Sequence, residues 1–237
     1  MREHGFTLTE VLIGLGLSLL MFVAAFEFLG ITRDLFGKLK DAEEENQAAV
    51  AALDKIRIDL AQAGRGLASP MRNSSIAGVE AVAKSLVLCL AERVYALTQD
   101  VVAGQTLVPL QAVSGLSPQR EVCLAGDGWS ELHTVSSCGA GAVILGEPLQ
   151  ASFSKVSGQV LLIERIAYFL DEPSGILRRR VNAGSPQPLL EGVAAADLSY
   201  DTAANLAKAG FSLQSSKEKR YEISVFPKNV GLVLSAH

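Results

Sequence analysis

The sequence offers little with which to hold a metal or run acid-base chemistry. Its three histidines, His4, His133 and His237, and its three cysteines, Cys89, Cys123 and Cys138, are scattered with no CxxC, HxxH or HExxH arrangement, so a zinc site lacks ligands at usable spacing. There is no Gly-x-Ser-x-Gly elbow, and His133 stands as the sole histidine of the central chain, which leaves a nucleophile without its usual base. Asp127 sits between glycines but lacks the Asp-x-Asp-x-Asp spacing of a calcium loop, and reads as a turn. The run beginning at Gly139 lacks the third glycine of a dinucleotide loop at Ile144 and also reads as a turn. Basic charge is short as well: the formal net charge is −4, whereas a dedicated nucleic-acid binder needs a basic face. Neither an enzyme nor a cofactor is expected. With 49% hydrophobic and 19% charged residues, the chain is neither a disordered polyelectrolyte nor a protein of many membrane spans. Proline is absent before Pro70, so nothing of that kind interrupts a helix over the first 69 residues.

What is present is concentrated at the N-terminus. Val11 to Phe26 gives 16 consecutive uncharged residues, about 24 Å of helix at 1.5 Å per residue, bracketed by Glu10 and Glu27. The start is less basic than that of a secretory signal, and no small-x-small cleavage site follows the apolar run. Glu10 needs a partner, because a carboxylate at mid-bilayer costs about 2.5–3.5 kcal/mol. Two readings stand. Glu10 is a headgroup-level acid at the positive end of a helix, or it faces a new amine that a cut after Gly5 would create on Phe6, four residues away on the same helical face.

The segment Gly5-Phe6-Thr7-Leu8-Thr9-Glu10 followed by an apolar helix resembles the processing signature of type IV prepilins and type II secretion pseudopilins. The resemblance implies cleavage between Gly5 and Phe6 by a prepilin peptidase, N-methylation of Phe6, and a role for Glu10 in docking an incoming subunit against a neighbour's amine. It also implies a single-pass protein of the bacterial inner membrane with a periplasmic head, passing into a pilus or pseudopilus on assembly. Many major pilins carry a proline about twenty residues into the mature chain, and this sequence departs from them there.

Beyond the apolar run, Leu35, Leu39, Ala42, Ala49, Val50, Leu53, Ile56, Leu60 and Ala63 recur mostly at three or four residues, predicting one amphipathic helix from Thr7 to about Ala63. Glu43, Glu44 and Glu45 read as its solvated face. Gly64 and Gly66 supply the stop, and Ala68-Ser69-Pro70 marks a chain that has left the helix. The expected organisation is a leader (1–5), an apolar transmembrane or filament-core helix (6–31), an amphipathic continuation (32–66) and a β-rich head (67–237). In the head, strands are predicted at Ser85-LVLCLAERV, Arg120-EVCLAG, Ala142-VILG, Gln159-VLLIERIAYFL, Gly175-ILRRRV, Asp197-LSY, Tyr221-EISVF and Val230-GLVLSA, each bounded by turn residues. The fold class is α+β: a long helix packed on a mostly antiparallel head, pilin-like if the resemblance holds.

Within the head, Arg165-IAYFLDEPSGILRRRV and then Pro188-LLEGVAAADLSY resemble the C-terminal pattern of PilW-type minor pilins and the related J-type pseudopilins. The features associated with J-type proteins around tryptophan and proline are missing, since Trp129 is the single tryptophan. The function implied is that of a minor pilin helping to initiate or cap a type IV pilus, with the peptidase, other minor pilins and the major pilin as partners. A pseudopilin of a type II secretion tip complex is the nearest alternative. A membrane-tethered periplasmic enzyme or binding protein is the alternative of another class.

A head outside the cytoplasm meets an oxidising space. Cys123 and Cys138 enclose a loop of about 15 residues around Gly126-Asp127-Gly128, for which a bridge would contribute roughly 3 kcal/mol, and this is the expected disulfide. Cys89 with Cys123 is a competing pair, and three free thiols remain open. Arg178-Arg179-Arg180 is the one dense basic run. On a strand Arg178 and Arg180 share a face and Arg179 takes the other, and the run reads as a solvated edge that resists unwanted pairing or as a contact for an acidic neighbour.

Overall fold

The structure, a computed structural model, describes residues 7–234; the Gly5-Phe6 bond lies outside them. Helix α1 runs Leu8–Gln62, 55 residues without interruption, within a residue of the predicted span at each end. The chain divides into two compact units, Met1–Ala49 and Val50–His237, so the division falls inside α1.

The first unit is helix alone in its described residues. The second unit contains the last turns of α1 followed by α2 (Ala68–Arg72), β1 (Val79–Val82), β2 (Ser85–Ala96), β3 (Leu107–Pro109), β4 (Glu121–Gly126), β5 (Trp129–Gly139) and β6 (Ala142–Leu145). It continues with β7 (Gln159–Asp171), β8 (Ile176–Val181), β9 (Gln187–Leu190), β10 (Val193–Asp201), β11 (Leu206–Leu213), β12 (Arg220–Val225) and α3 (Lys228–Leu234). Among the described residues nine strands form one sheet, in the order β1-β2-β7-β4-β5-β6-β3 with β8 and β9 branching from β7, and β10-β11-β12 form a second. Every pairing is antiparallel. The class is therefore α+β.

β7 organises the larger sheet. One of its edges pairs with β2 along nearly its whole length. The other is shared, with β4 opposite residues 159–162 and β8 opposite 166–171. Its apolar run is buried on both faces: Val160 and Leu162 join a cluster with Val122, Leu124 and Phe153, while Leu161 and Ile163 join one with Leu67, Cys89 and Cys123. Alternation sends successive side chains to opposite faces, so a continuous apolar sequence is what a strand covered on both sides requires.

Within the second unit the buried stripe of α1 is Ala52, Ile56 and Leu60, continued by Ala63 just past its end at the predicted spacing of three and four, with one buried carboxylate, Asp59, that the apolar pattern did not reveal. The helix stops at a left-handed turn, with φ of 76° at Gly64 and 74° at Gly66. A Cβ on Gly66 would stand 2.8 Å from that of Ala91. The close approach lets Gly64 N–H donate to Cys89 O and Ala91 N–H to Arg65 O, each at 2.8 Å, which laces the end of the helix to β2. Asn229 Nδ2 donates to Ala61 O and Ala63 O, serving carbonyls that a helix end leaves without partners.

Three expectations need correction. Val230-GLVLSA is not a strand: its described residues lie in α3, where Val230 and Gly231 donate to Pro227 O at 3.0 and 3.1 Å. Pro227 opens that turn, and Val230 and Val233 are both buried, one helical turn apart. The chain after Gly66 does not leave helix altogether, since α2 forms at once with Pro70 inside its first turn, where a missing N–H is harmless.

The third correction is the disulfide. All three cysteines are free. Cys123 lies opposite Leu132 on β5, and Cys138 is six residues further along that strand, about 20 Å away at ~3.3 Å per residue. A bridge needs Cα atoms within about 7 Å. Cys89 and Cys123 are also apart, because β7 runs between them and they face Arg165 and Leu161 respectively. The loop between Cys123 and Cys138 closes instead as a hairpin at Asp127 and Gly128, with φ of 50° and 79°, the conformation for which Asp-Gly is suited.

Candidate functional site

The residues expected to act in assembly lie on the first unit. Gly5 and Phe6 fall outside the described residues; Glu10 is described. Its Oε2 accepts from Thr7 N–H at 2.9 Å and from Thr7 Oγ1 at 2.8 Å. Thr-x-x-Glu is a capping box, and the carboxylate reaching back to the N-cap N–H is half of that motif. Glu10 therefore has a partner within its own helix and sits where the positive end of the helix favours a negative charge.

From Val11 onward the helix exposes apolar side chains on every face. Leu12, Ile13, Leu15, Leu19, Phe22 and Phe26 are all more than half exposed, and consecutive residues in a helix point in different directions. The hydroxyls in this region are turned inward: Ser18 Oγ donates to Gly14 O at 2.9 Å and Thr32 Oγ1 to Phe28 O at 2.8 Å. These bonds satisfy groups that an apolar surrounding would leave without partners. The segment is long and apolar enough to cross a membrane.

The second unit carries a buried polar cluster around Asp59. Tyr168 Oη donates to Asp59 Oδ2 at 2.6 Å and Arg179 Nε to the same oxygen at 2.8 Å, while Lys55 Nζ reaches Oδ1 at 3.0 Å. Tyr168 of β7 and Arg179 of β8 are directly paired across the strands, so both present to one face. Burial works to raise the Asp59 carboxyl, and the donors from Tyr168, Lys55 and Arg179 outweigh it and hold the group below the ordinary carboxylate value. Burial, and then the carboxylate beside it, push the Tyr168 hydroxyl far up. The cluster anchors helix to sheet.

A second buried pair lies on β5. Glu131 and His133, two apart on one face, meet with His133 Nε2 2.9 Å from Glu131 Oε2. Glu131 also accepts from Gln150 N–H, Ala151 N–H and Trp129 Nε1. Burial tends to raise this carboxyl, yet these donors lower it on balance. His133 is a strand side chain, as its alternation predicts, and Glu131 serves to tie down the segment after β6. The basic run divides as strand geometry requires. Arg178 pairs with Asp171 and Arg179 with Asp59, while Arg180 is exposed. The solvated-edge reading thus fails for Arg179, which an acid 120 residues away holds in a partly buried position.

The chain matches no protein-family model and no curated protein. Among solved structures it is similar over 31% of its length to the Gp54 tailspike of Acinetobacter baumannii bacteriophage AP22, at 12% identity and a TM-score of 0.28. It is also similar over 31% to the tailspike protein gp49 of Pseudomonas phage LKA1, at 14% identity and a TM-score of 0.26. The chain spans 15% of the length of each tailspike. At these scores nothing about fold or function passes from the tailspikes to this chain.

Proposed function

We propose that this chain is a minor pilin-type subunit: a non-enzymatic component anchored in the bacterial inner membrane, processed between Gly5 and Phe6, and drawn into a type IV pilus to help initiate or cap it. The observation that carries the reading is the apolar surface of α1 from Val11 to Phe26, exposed on all sides and bracketed by Glu10 and Glu27. A helix apolar all round needs lipid or other helices as its surroundings. The prepilin-like Gly-Phe-Thr-Leu-Thr-Glu sequence supplies both in succession, lipid before assembly and neighbouring helices after it. Glu10 then acts as an electrostatic register. Its pairing with a positively charged amine strengthens where water is excluded, so the assembled state is where the charge matters most.

The test separates the charge from the helix cap. Glu10→Gln keeps an oxygen for Thr7 but loses the charge, and Glu10→Asp keeps the charge on a shorter arm. Expressed in the native host, all forms should insert and begin at Phe6. Recovery in sheared filaments at matched processed levels should fall by about tenfold or more for Gln, equivalent to ~1.4 kcal/mol, with Asp intermediate. Equal recovery of Gln and wild type would refute the register, and a mature chain beginning at Met1 would refute the family reading.

A further inference from the structure

Arg180 belongs to a gap in the sheet. Along the shared edge of β7, β4 ends its pairing at Leu162 and β8 begins at Ile166, leaving residues 163–165 between them. A cleft of about 580 Å³ opens at this gap, lined by Arg120 and Glu121, by Arg165 of β7, and by Arg180 and Asn182 at the end of β8. Three arginines, from the loop before β4, from β7 and from β8, thus line one cleft, against the single carboxylate of Glu121 among the residues just named.

The donors are only partly used. Arg165 spends Nε on Glu121 Oε2 at 3.0 Å, leaving both Nη groups. Arg120 Nη2 reaches Glu92 Oε2 and Ile163 O, and its buried Nε has no partner among the described residues. Arg180 has its guanidinium carbon 5.7 Å from the Phe169 ring centroid, and no carboxylate pairs with it among the described residues. Asn182 accepts from Arg165 N–H through Oδ1 at 2.9 Å. A guanidinium carries five donors in a fixed fork suited to carboxylates, so the three groups together hold more donors than Glu121 and Glu92 accept, with Arg180 the most open of them.

We propose that this cleft binds an acidic segment of another polypeptide, whose carboxylates meet Arg180, Arg165 and the remaining donors of Arg120. Charge complementarity selects the class of ligand. The volume lies within the roughly 300–1,000 Å³ of ligand sites and exceeds what one small anion fills. The guanidinium groups come from separate stretches of chain, which suits successive acidic side chains better than one compact group. Backbone addition is not the mode, since the N–H and C=O of Arg165 are both taken by Asn182. The assembly reading bears on the source of the segment, a neighbouring subunit; the chemistry of the cleft stands without it.

The test uses the full chain in zwitterionic detergent and the fluorescence anisotropy of labelled hexaglutamate. Binding should weaken as salt is raised, and hexaglutamine should not bind. Arg180→Glu should lower affinity by about tenfold or more. Asn182→Asp keeps the acceptor for Arg165 N–H while adding a negative charge, and should also lower it. Arg180→Lys should retain most of it. Unchanged affinity in a folded Arg180→Glu variant would overturn the proposal. So would displacement of the peptide by equimolar inorganic phosphate, which would make the cleft a simple anion site. Tighter binding of oligogalacturonate than of hexaglutamate at matched charge would also overturn it, by assigning the cleft to saccharides. Each readout is independent of filament assembly, so a failure here leaves the Glu10 experiment standing, and the reverse.

Discussion

The two units of this chain stand in opposite relation to water. In Met1–Ala49 the large apolar side chains of the described helix point outward, and the Ser18 and Thr32 hydroxyls bond back to its own carbonyls. In Val50–His237 most of the large apolar side chains are inside, Tyr168, Phe153, Ile56 and Leu60 among the most completely buried, and the buried polar residues Asp59, Ser130, Glu131, His133 and Asn205 have partners. A helix shows its intended surroundings by what it leaves exposed; a head shows its self-sufficiency by what it satisfies internally. Hydrophobic burial is the main favourable term in folding, and among the described residues nearly all of it lies in the second unit.

The sharpest way to break this comparison is to separate the units. A chain beginning at Val50 retains both interior clusters of the sheet and the Asp59 anchor, and it should be soluble without detergent and melt cooperatively. The full chain should require detergent or lipid. Aggregation of the shortened chain, or a melt without cooperativity, would show that the second unit depends on the first for its folding.

Next in size is the anchor. Asp59→Asn leaves the partly buried Arg179 without its counter-charge, and losing a charge-assisted hydrogen bond of this kind costs about 1.5–3 kcal/mol. The shortened chain should show this loss in denaturant melts. The pH dependence gives the sign independently. The folded carboxyl lies below its ordinary 3.8, so its contribution is fully present above that value and is lost as pH falls through the folded one. Asp59→Asn should flatten this acid limb of the stability profile. A variant as stable as wild type, with the same acid limb, would remove Asp59 from the account.

Whether such features can be read in advance depends on how local their causes are. The Glu10 cap is written in Thr7-x-x-Glu10, and the end of α1 in Gly64 and Gly66, because each interaction spans a few residues. The long runs of β2 and β7 are equally open to reading, since alternation and β-branched content are local. Asp59 is different: it sits among Asp54, Lys55 and Arg57, a neighbourhood that reads as solvated, and its burial follows from Tyr168 and Arg179, more than 100 residues away. The Arg120, Arg165 and Arg180 cleft likewise arises from where β4 and β8 stop along β7, which is a matter of register. Val230-Gly-Leu-Val-Leu fits either period, and Pro227 decides for helix. Spacing alone could suggest a bridge between Cys123 and Cys138, but the β4–β5 register sets the distance.

The smallest expected effect concerns those cysteines, and it sharpens the comparison by probing the interior of the second unit without disturbing it. Burial pushes the Cys89 thiol up to about 11 and that of Cys123 up to about 12, so at pH 8 the thiolate fraction is about 10⁻³ and 10⁻⁴. Both side chains also lie inside the sheet's core, where a reagent cannot reach them. Cys138 is only partly buried, and burial raises its thiol as well, though access remains. Native protein treated with iodoacetamide at pH 8 should therefore take up one label slowly, at Cys138, and three once unfolded, as peptide mapping would show. The rates at Cys89 and Cys123 should follow the small population in which the head is open, so Asp59→Asn should hasten both and leave Cys138 nearly unchanged. Equal labelling of all three in the folded wild type would mean that the core around β4 and β7 admits solvent, and a linked Cys123–Cys138 peptide would mean that the β4–β5 register is wrong.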